Sequence, residues 1–307
     1  MAVYEVFSYC AKYRHKTTIC SSASVFIVVI SLLIILGPFL LVYRSNGFWL
    51  RTSAYREQPE VHFKYQYVLI IETEQFNNPL ICSTFSYLRS TDHNEGHCAI
   101  VKSREIDNDE DGKYDELSIE FSVVLESTAI YGIKLLLVFD YKLHAMSSLQ
   151  MESLGYLQHS AGLPGARFDA TADLHLVQRK PLNSYGRDLK YNTSIIANEN
   201  TLYQRFDLST ILKEYGRRRV STILSNIYSL WTAGLSSDGP FILTVVIHYP
   251  EQNFIYRPRF WQVVKWAWMQ YISVLLVFLY VFKSVKTYVF RNRLIPSIKY
   301  VPWKKSL

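Results

Sequence analysis

The residues whose types and spacing could do chemistry are the acids in the stretch Asp107–Asp115, which reads DNDEDGKYD. Calcium takes about six to eight oxygen ligands, and acids at alternate positions of a tight loop can converge on one ion. Gly112 supplies the backbone freedom that such a turn needs. We therefore predict a calcium site in this loop. Its candidate ligands are the side chains of Asp107, Asp109, Asp111 and Asp115 and the main-chain carbonyl of Lys113.

The segments on either side of this acidic loop decide which kind of site it is. An EF-hand needs a flanking helix on each side and a bidentate glutamate three residues after Asp115, where this chain has Ser118. The flanks Ala99–Arg104 and Leu117–Val123 are instead predicted strands. We expect a β-hairpin with the calcium loop at its tip. A solvated acidic turn that binds no ion is the alternative interpretation.

Other chemistry finds little support in the sequence. It has no G-x-S-x-G, no H-E-x-x-H, no phosphate-binding loop and no dinucleotide-binding glycine pattern. His93, Glu95, His97 and Cys98 are residue types that bind zinc, but they crowd into one loop without a second pair of ligands. We predict that the protein is not an enzyme and has neither a zinc site nor a small-molecule substrate.

The domain that holds the acidic loop is predicted to be tied to a membrane at both ends. Ala23–Val42 is a run of twenty uncharged residues, and as a helix it would be about 30 Å long, the thickness of a bilayer's hydrocarbon core. Trp266–Phe282 is a second uncharged run, of seventeen residues, with Lys265 and Lys283 at its ends. A cleaved signal peptide fits the first run less well, because the apolar core is too long and no small-residue cleavage site follows it.

The charges predict the orientation of these two spans. Of the 33 Lys/Arg and 26 Asp/Glu, 10 cations and one acid lie in the two terminal segments, which leaves 23 and 25 for the middle of the chain. The net charge of +7 is therefore a property of the tails, and it does not indicate nucleic-acid binding. Basic residues favour the cytoplasmic side, so both termini are predicted there. The predicted divisions are a cytoplasmic arm 1–22, a first transmembrane helix 23–42, an extracellular domain 43–265, a second transmembrane helix 266–282 and a cytoplasmic basic tail 283–307.

Alternating polarity predicts that the extracellular domain is built mainly of strands. The alternation is longest in Val61–Ile71, Leu117–Val123 and Ile133–Leu143. Shorter predicted strands are Leu80–Tyr87, Ala99–Arg104, Leu174–Gln178 and Phe241–Tyr249. Many strands of this type favour a β-sandwich-like fold.

One helix is predicted in this domain, capped by Asp207 and ended by Gly216. Its apolar residues recur at helical spacing. The basic run Arg217–Arg219 that follows is interpreted as a solvated helix end, which suits the helix dipole.

Covalent modifications are predicted from the same topology. Asn192 begins the chain's single N-x-S/T glycosylation sequence. Cys82 and Cys98 lie in the predicted extracellular domain, where a disulfide between them would persist and would contribute about 3 kcal/mol. Cys10 and Cys20 lie on the cytoplasmic side, as reduced thiols or as sites of palmitoylation.

Four stretches resemble the transmembrane protein 231 family of ciliary transition-zone proteins. They are MAVYEVFSYC at the start, SNGFWLRTSAYREQP after the first span, the acidic DGK loop, and YRPRFWQVVKWAWMQYISVLLVFLYVF near the end. The resemblance implies a non-enzymatic component of the Meckel or tectonic complex, which forms part of the diffusion barrier at the base of the cilium. It further implies roles in ciliogenesis, ciliary receptor localisation and Hedgehog signalling. The implied partners are tectonic proteins, B9-domain proteins, meckelin and other small transition-zone membrane proteins.

Two other functions stay open at this point. A two-span ion-channel subunit would have the same topology. An endoplasmic-reticulum accessory subunit would fit the C-terminal Lys304 and Lys305, which have the K-K-x-x form of a retrieval signal.

Overall fold

The computed structural model describes residues 14–16, 18, 21–45, 50–74, 79–85, 98–124, 129–196, 208–234 and 239–300. The chain divides into two compact units. We call Met1–Arg51 together with Pro258–Leu307 the membrane unit, and Thr52–Arg257 the β domain.

The described residues form three helices and fourteen strands. In chain order they are β1 (Arg14–Lys16), α1 (Ser22–Arg44), β2 (Ser53–Glu57), β3 (Glu60–Thr73), β4 (Leu80–Ser83), β5 (Ile100–Ile106), β6 (Glu116–Val123), β7 (Ile130–Leu143), β8 (Ser148–Ser160), β9 (Gly165–Gln178), β10 (Arg187–Asp188), α2 (Leu208–Gly216), β11 (Val220–Ala233), β12 (Phe241–His248), β13 (Gln252–Tyr256), α3 (Phe260–Arg291) and β14 (Ile298–Tyr300). The seven strands predicted from alternation correspond to β3 to β7, β9 and β12.

The membrane unit contains α1 and α3, and both are long and apolar enough to cross a membrane. Helix α1 has 23 residues and starts where the Ser21 hydroxyl accepts a hydrogen bond from the Ser24 N–H, at 3.3 Å. Helix α3 has 32 residues and extends beyond the uncharged run 266–282 at both ends. The extension follows from the sequence, because neither glycine nor proline occurs within the helix to end it.

The two ends of the chain meet in the membrane unit. Strands β1 and β14 pair antiparallel, with Arg14 opposite Tyr300, and Lys16 opposite Ile298. The arm and the tail, which the sequence presents as two separate short segments, thus share a two-stranded sheet.

The β domain is built on two five-stranded sheets. Sheet I has the strand order β10-β8-β7-β3-β4, and sheet II has the order β11-β9-β12-β6-β5. Neighbours are antiparallel except for β10 with β8 and β12 with β9. Strands β2 and β13 form a separate two-stranded sheet.

The hydrophobic core lies between the two sheets. Strands β6 and β12 alternate between buried and half-buried residues, so that each presents one apolar face to the core. Sheet I contributes Leu69, Leu137 and Phe139, which are at most 1% exposed and belong to the same cluster. The rings of Tyr67 in sheet I and Phe121 in sheet II meet edge to face, with centroids 5.1 Å apart. The predicted sandwich-like fold is therefore confirmed.

Helix α2 covers the outer face of sheet I. It packs Leu212 and Tyr215 against Leu136 and Val138 of β7. This cover explains why the middle of β7 is buried on both faces and does not alternate there. The helix that the sequence predicted is confirmed, although its proposed cap, Asp207, lies outside the described residues.

The basic run after α2 is only partly a solvated helix end. Arg217 and Arg219 are exposed. Arg218 instead stacks over the rings of Tyr191 and Tyr215, at 5.1 and 5.2 Å, and donates a hydrogen bond to the carbonyl of Glu152 at 3.1 Å. The sequence interpretation was wrong for Arg218, because Tyr191 and Glu152, which help to bury it, lie far along the chain.

A bulge in β3 connects the two sheets near one edge. The register of β3 with β7 shifts between Phe63 and Gln66, and Tyr65 has a φ of 57° and an exposed side chain. The Phe63 N–H donates to the carboxylate of Glu105 in β5 of sheet II, at 2.7 Å. Burial raises the pKa of Glu105, although this hydrogen bond opposes the shift.

Candidate functional site

The acidic loop joins β5 to β6 as the tip of a hairpin. These two strands pair antiparallel up to Ile106 opposite Glu116, and the Asp115 N–H donates to the Ile106 carbonyl at 2.9 Å. Strands rather than helices flank the loop, as the sequence predicted. The backbone turns through Glu110 and Gly112, whose φ values are 58° and 87°, and at Gly112 a side chain would be strained.

The loop brings together three of its predicted calcium ligands. Carboxylate oxygens of Asp107, Asp109 and Asp115 lie within 4.8 Å of one another. Asp111 turns away from this group and accepts a hydrogen bond from the Lys113 N–H at 2.7 Å. The Lys113 ammonium group donates a hydrogen bond to the main-chain carbonyl of Gln58 at 3.0 Å. This bond connects the loop to the segment after β2.

Hydrogen bonds to these carboxylates hold the loop in shape. Asp107 accepts from the Gly112 N–H at 3.0 Å. Asp115 accepts from the Asn108 N–H at 2.8 Å and from the Gln58 side-chain amide at 2.6 Å. The carboxylates of Asp107 and Asp115 are thus positioned by the protein's own donors.

The electrostatics of the cluster favour a cation. The Asp111 N–H lowers the pKa of Asp109 by hydrogen bonding, but desolvation and repulsion from Asp111 and Asp115 together outweigh it, so the pKa is raised. Like charges that crowd together disfavour ionisation, and a cation among them relieves that cost. Three carboxylates with added carbonyl or water oxygens match the ligands that calcium prefers. Calcium binding stays a prediction for these residues.

The predicted glycosylation site is at the surface of the β domain. Asn192 is exposed in a turn after β10, and its N–H donates to the Leu189 carbonyl at 3.0 Å. The residues on both sides of Asn192 are hydrogen-bonded to Glu152. The Tyr191 carbonyl accepts from the Glu152 N–H, and the Ile195 N–H donates to the Glu152 carboxylate at 2.7 Å. A glycan at Asn192 would therefore project from a fixed position, and its presence stays a prediction.

The two cysteines of the β domain lie on adjoining segments. Cys82 is buried in β4, and Cys98 is exposed just before β5. The structure does not join them, although the Cys98 thiol lies 3.9 Å from the carbonyl of Ile81, the residue before Cys82. The disulfide stays a prediction. Of the residues that were considered and set aside as zinc ligands, His93, Glu95 and His97 lie outside the described residues.

The helices of the membrane unit pack against each other through small and aromatic residues. A Cβ atom at Gly37 of α1 would collide with the ring of Phe278 in α3. Near this contact the Tyr271 hydroxyl donates to the Ile35 carbonyl at 3.4 Å. A small residue that admits a neighbouring side chain is typical of helix contacts inside membranes. Helices α1 and α3 are thus closely packed against each other.

Sequence reasoning did not single out strand β11 (Val220–Ala233). This strand lies at one end of sheet II, and Tyr228 and Leu230 on it are 77% and 63% exposed. A signal was present, because its fourteen residues contain no charge and no proline and are rich in β-formers.

Comparisons with known proteins agree with the resemblance drawn from the sequence. The family described as Transmembrane protein 231 matches residues 1–299. Relatives called Transmembrane protein 231 are 38% identical over 299 residues in Xenopus tropicalis and 37% identical over 303 residues in Homo sapiens. Each alignment covers 97% of this chain, and they cover 96% and 95% of those relatives.

A solved structure, described as a cryo-EM structure of a proton-activated chloride channel, aligns with 87% of this chain and 98% of its own. The identity is 8% and the TM-score is 0.26, which is too low to establish a shared fold. The two relatives, by contrast, are 38% and 37% identical over nearly their whole length. The chain therefore belongs to the transmembrane protein 231 family.

Proposed function

We propose that this protein is a non-enzymatic structural component of the membrane at the ciliary transition zone. In this role it contributes to the diffusion barrier at the base of the cilium, and through it to ciliogenesis, ciliary receptor localisation and Hedgehog signalling. Its proposed partners are tectonic proteins, B9-domain proteins, meckelin and other small transition-zone membrane proteins. Membership of the family over nearly the whole chain is the observation that carries this proposal.

The chemistry of the described residues supports a structural role. The carboxylates of Asp107 and Asp115 in the acidic loop are engaged by backbone donors. A barrier component needs surfaces for several weak contacts rather than a catalytic cleft. One groove, of about 360 Å³, is open to solvent on sheet II, and its lining includes Asp169, Tyr228 and Thr244.

The helix pair favours an anchoring role over ion conduction. Ser31 of α1 and Ser273 of α3 donate their hydroxyl hydrogens to carbonyls four residues earlier, each at 2.8 Å. These polar groups are therefore satisfied within their own helices. Ion pathways are usually marked by charged side chains within the spans, and the run Ala23–Val42 and the run Trp266–Phe282 contain none.

The proposed orientation places both termini in the cytoplasm and the β domain outside. Cations on the last part of α3 and just after it support this, because Lys283, Arg291 and Arg293 are exposed. They are suited to contact anionic headgroups and cytoplasmic partners.

Imaging in ciliated cells tests the proposed function. A tagged copy expressed at native level should form a focus that coincides with a transition-zone marker, between the basal body and the ciliary shaft. A uniform reticular distribution would favour the endoplasmic-reticulum alternative, and ion current from the purified protein in planar bilayers would favour the channel alternative.

A tail variant separates targeting by charge from anchoring by the spans. Replacing Lys283, Lys286, Arg291 and Arg293 by alanine should reduce the focus at the ciliary base. The matched control exchanges lysine for arginine and arginine for lysine at the same four positions, and it should localise normally. Normal localisation of the alanine variant would show that the tail charges have no such role.

A further inference from the structure

Strand β11 has two halves with different surroundings. Its first half, Val220–Ser225, is closed against β8 of sheet I. The Thr222 hydroxyl donates to the Leu154 carbonyl at 2.7 Å, and the Tyr215 hydroxyl accepts from the N–H groups of both residues. Among the described strands, the second half pairs only with β9. We call this second half, Asn226–Ala233, the open edge.

A bulge separates the two halves. The register of β11 with β9 shifts between Ser225 and Tyr228. Asn226 in the bulge has a φ of 51°, and its side-chain amide donates to the Asp173 carboxylate at 2.7 Å. A bulge bends a strand and increases its twist. This one marks the point where β11 leaves β8 and becomes an edge.

Apart from its bulges, the open edge lacks the charges and prolines that normally keep sheet edges apart. Natural edge strands are usually protected by charges, prolines or short length. The open edge reads NIYSLWTA and contains neither a charge nor a proline. Ile227, Tyr228 and Leu230 are 45%, 77% and 63% exposed. Within the part of the chain that the structure describes, no other strand pairs with its outer side.

Two acids lie beside the open edge: Asp173 accepts from Asn226 at the bulge, and Asp169 is paired with a cation. Tyr228 and Leu230 line the 360 Å³ groove together with Asp169 and Thr244. Arg167 holds the Asp169 carboxylate through two hydrogen bonds of 2.7 and 2.9 Å. Hydrogen bonding from Arg167 also lowers the pKa of Asp169, so the pair stays ionised and neutral overall. The uncharged side chains of Tyr228 and Leu230 and the neutralised Asp169 carboxylate favour an uncharged, partly apolar occupant.

We propose that the occupant is the open edge of a second copy of this chain, paired antiparallel about a two-fold axis. If Ser229 lies on the axis, Tyr228 of each copy stands opposite Leu230 of the other. Aromatic and aliphatic residues opposite each other are favourable cross-strand pairs. The two copies meet without like charges, because the segment carries none. The pairing joins two copies of sheet II into one continuous sheet, and it does not depend on the ciliary assignment.

Cysteine cross-linking in native membranes tests the pairing. Residues directly opposite in an antiparallel pair have Cα atoms about 4.5 to 5.5 Å apart, which is within reach of a disulfide. In full-length chains that carry Cys98→Ser, oxidation of Ser229→Cys should produce dimers at least about fivefold more efficiently than oxidation of Ile100→Cys. Ile100 is a matched control because it is 66% exposed on β5, at the opposite edge of sheet II. Equal yields from the two positions would overturn the proposal.

A charge on the open edge provides a second measurement. In the Ser229→Cys chain, Leu230→Lys should lower the dimer yield by about fivefold, because both cross-strand pairs are lost and a charge enters the edge. Ile100→Lys in the same chain should leave the yield unchanged. Thermal unfolding of both variants shows whether the β domain stays folded. An undiminished yield with Leu230→Lys in a folded domain would contradict the two-fold pairing.

Discussion

The hydroxyl of Tyr215 is placed to hold the two sheets of the β domain together. It is an acceptor for the N–H groups of Leu154 in β8, at 3.1 Å, and of Thr222 in β11, at 2.7 Å, and it contacts the Thr222 hydroxyl at 2.7 Å. Tyr215 itself is 6% exposed. Replacing Tyr215 by phenylalanine keeps the ring in the cluster under α2 but removes the shared acceptor.

The expected loss follows from the two buried amides. A buried donor left without an acceptor costs about 1 to 3 kcal/mol, so Tyr215→Phe should lower the free energy of unfolding by about 3 kcal/mol. In a domain of this size, 1 kcal/mol corresponds to about 2 to 4 °C in Tm. The midpoint should therefore fall by about 10 °C. That is a large part of the stability of an ordinary domain.

Thermal unfolding of the full-length protein in detergent measures this change. The matched control is Tyr228→Phe, because Tyr228 is 77% exposed and its substitution should change stability by less than about 0.5 kcal/mol. Hydrogen exchange at the amides of Leu154 and Thr222 should rise in Tyr215→Phe. If the midpoint stays within about 2 °C of the control and exchange at both amides is unchanged, the reasoning is refuted.

Three further outcomes follow from the described residues. Asp109→Asn should weaken calcium binding to the full-length protein in titration calorimetry. The control Glu110→Gln, on the same loop but outside the converging carboxylates, should not weaken it. Equal heats for the two variants would end the calcium hypothesis. Burial raises the pKa of Glu105. Its contribution to stability is therefore full below its unfolded pKa and is lost as pH rises through the folded pKa, so Glu105→Gln should flatten the fall of stability across that interval. A pH slope equal to that of the wild type in thermal unfolding would argue against it. Gly37→Val should destabilise the pair of helices α1 and α3, because the new side chain collides with α3. The control Leu40→Val, at a 62% exposed position, should have little effect. Similar thermal midpoints for the two variants would contradict the packing of α1 against α3.

A strand with one buried face is the simplest to predict, although β7 was predicted as well and is buried on both faces at its middle. Strand β6 alternates throughout, so its pattern could be read directly. Strand β8 was missed because α2 and the neighbouring strands bury its middle on both faces. Strand β11 was missed because its first residues are buried and the residues after the bulge are exposed, which breaks the period of two.

In the candidate sites too, features formed by residues close in sequence were predicted, and those that depend on backbone angles or on distant residues were not. The hairpin that carries the acidic loop is local, since 9 residues separate Ile106 from Glu116, and it was predicted. The turn of Asp111 towards Lys113 depends on backbone angles that residue spacing does not specify. The pairing of β1 with β14 joins segments at opposite ends of the chain, and no pattern within either segment indicates its partner.

The central claim is that two apolar helices anchor the β domain on the outer side of the membrane and leave both termini in the cytoplasm. Protease digestion of sealed microsomes that contain the full-length protein tests it most directly. Residues 43–265 should survive as one protected fragment, while tags at both termini are lost. The fragment should shift in size on deglycosylation, and it should not shift in an Asn192→Gln variant. Digestion of that fragment in sealed vesicles would contradict the orientation, and with it the predicted disulfide, glycan and calcium site.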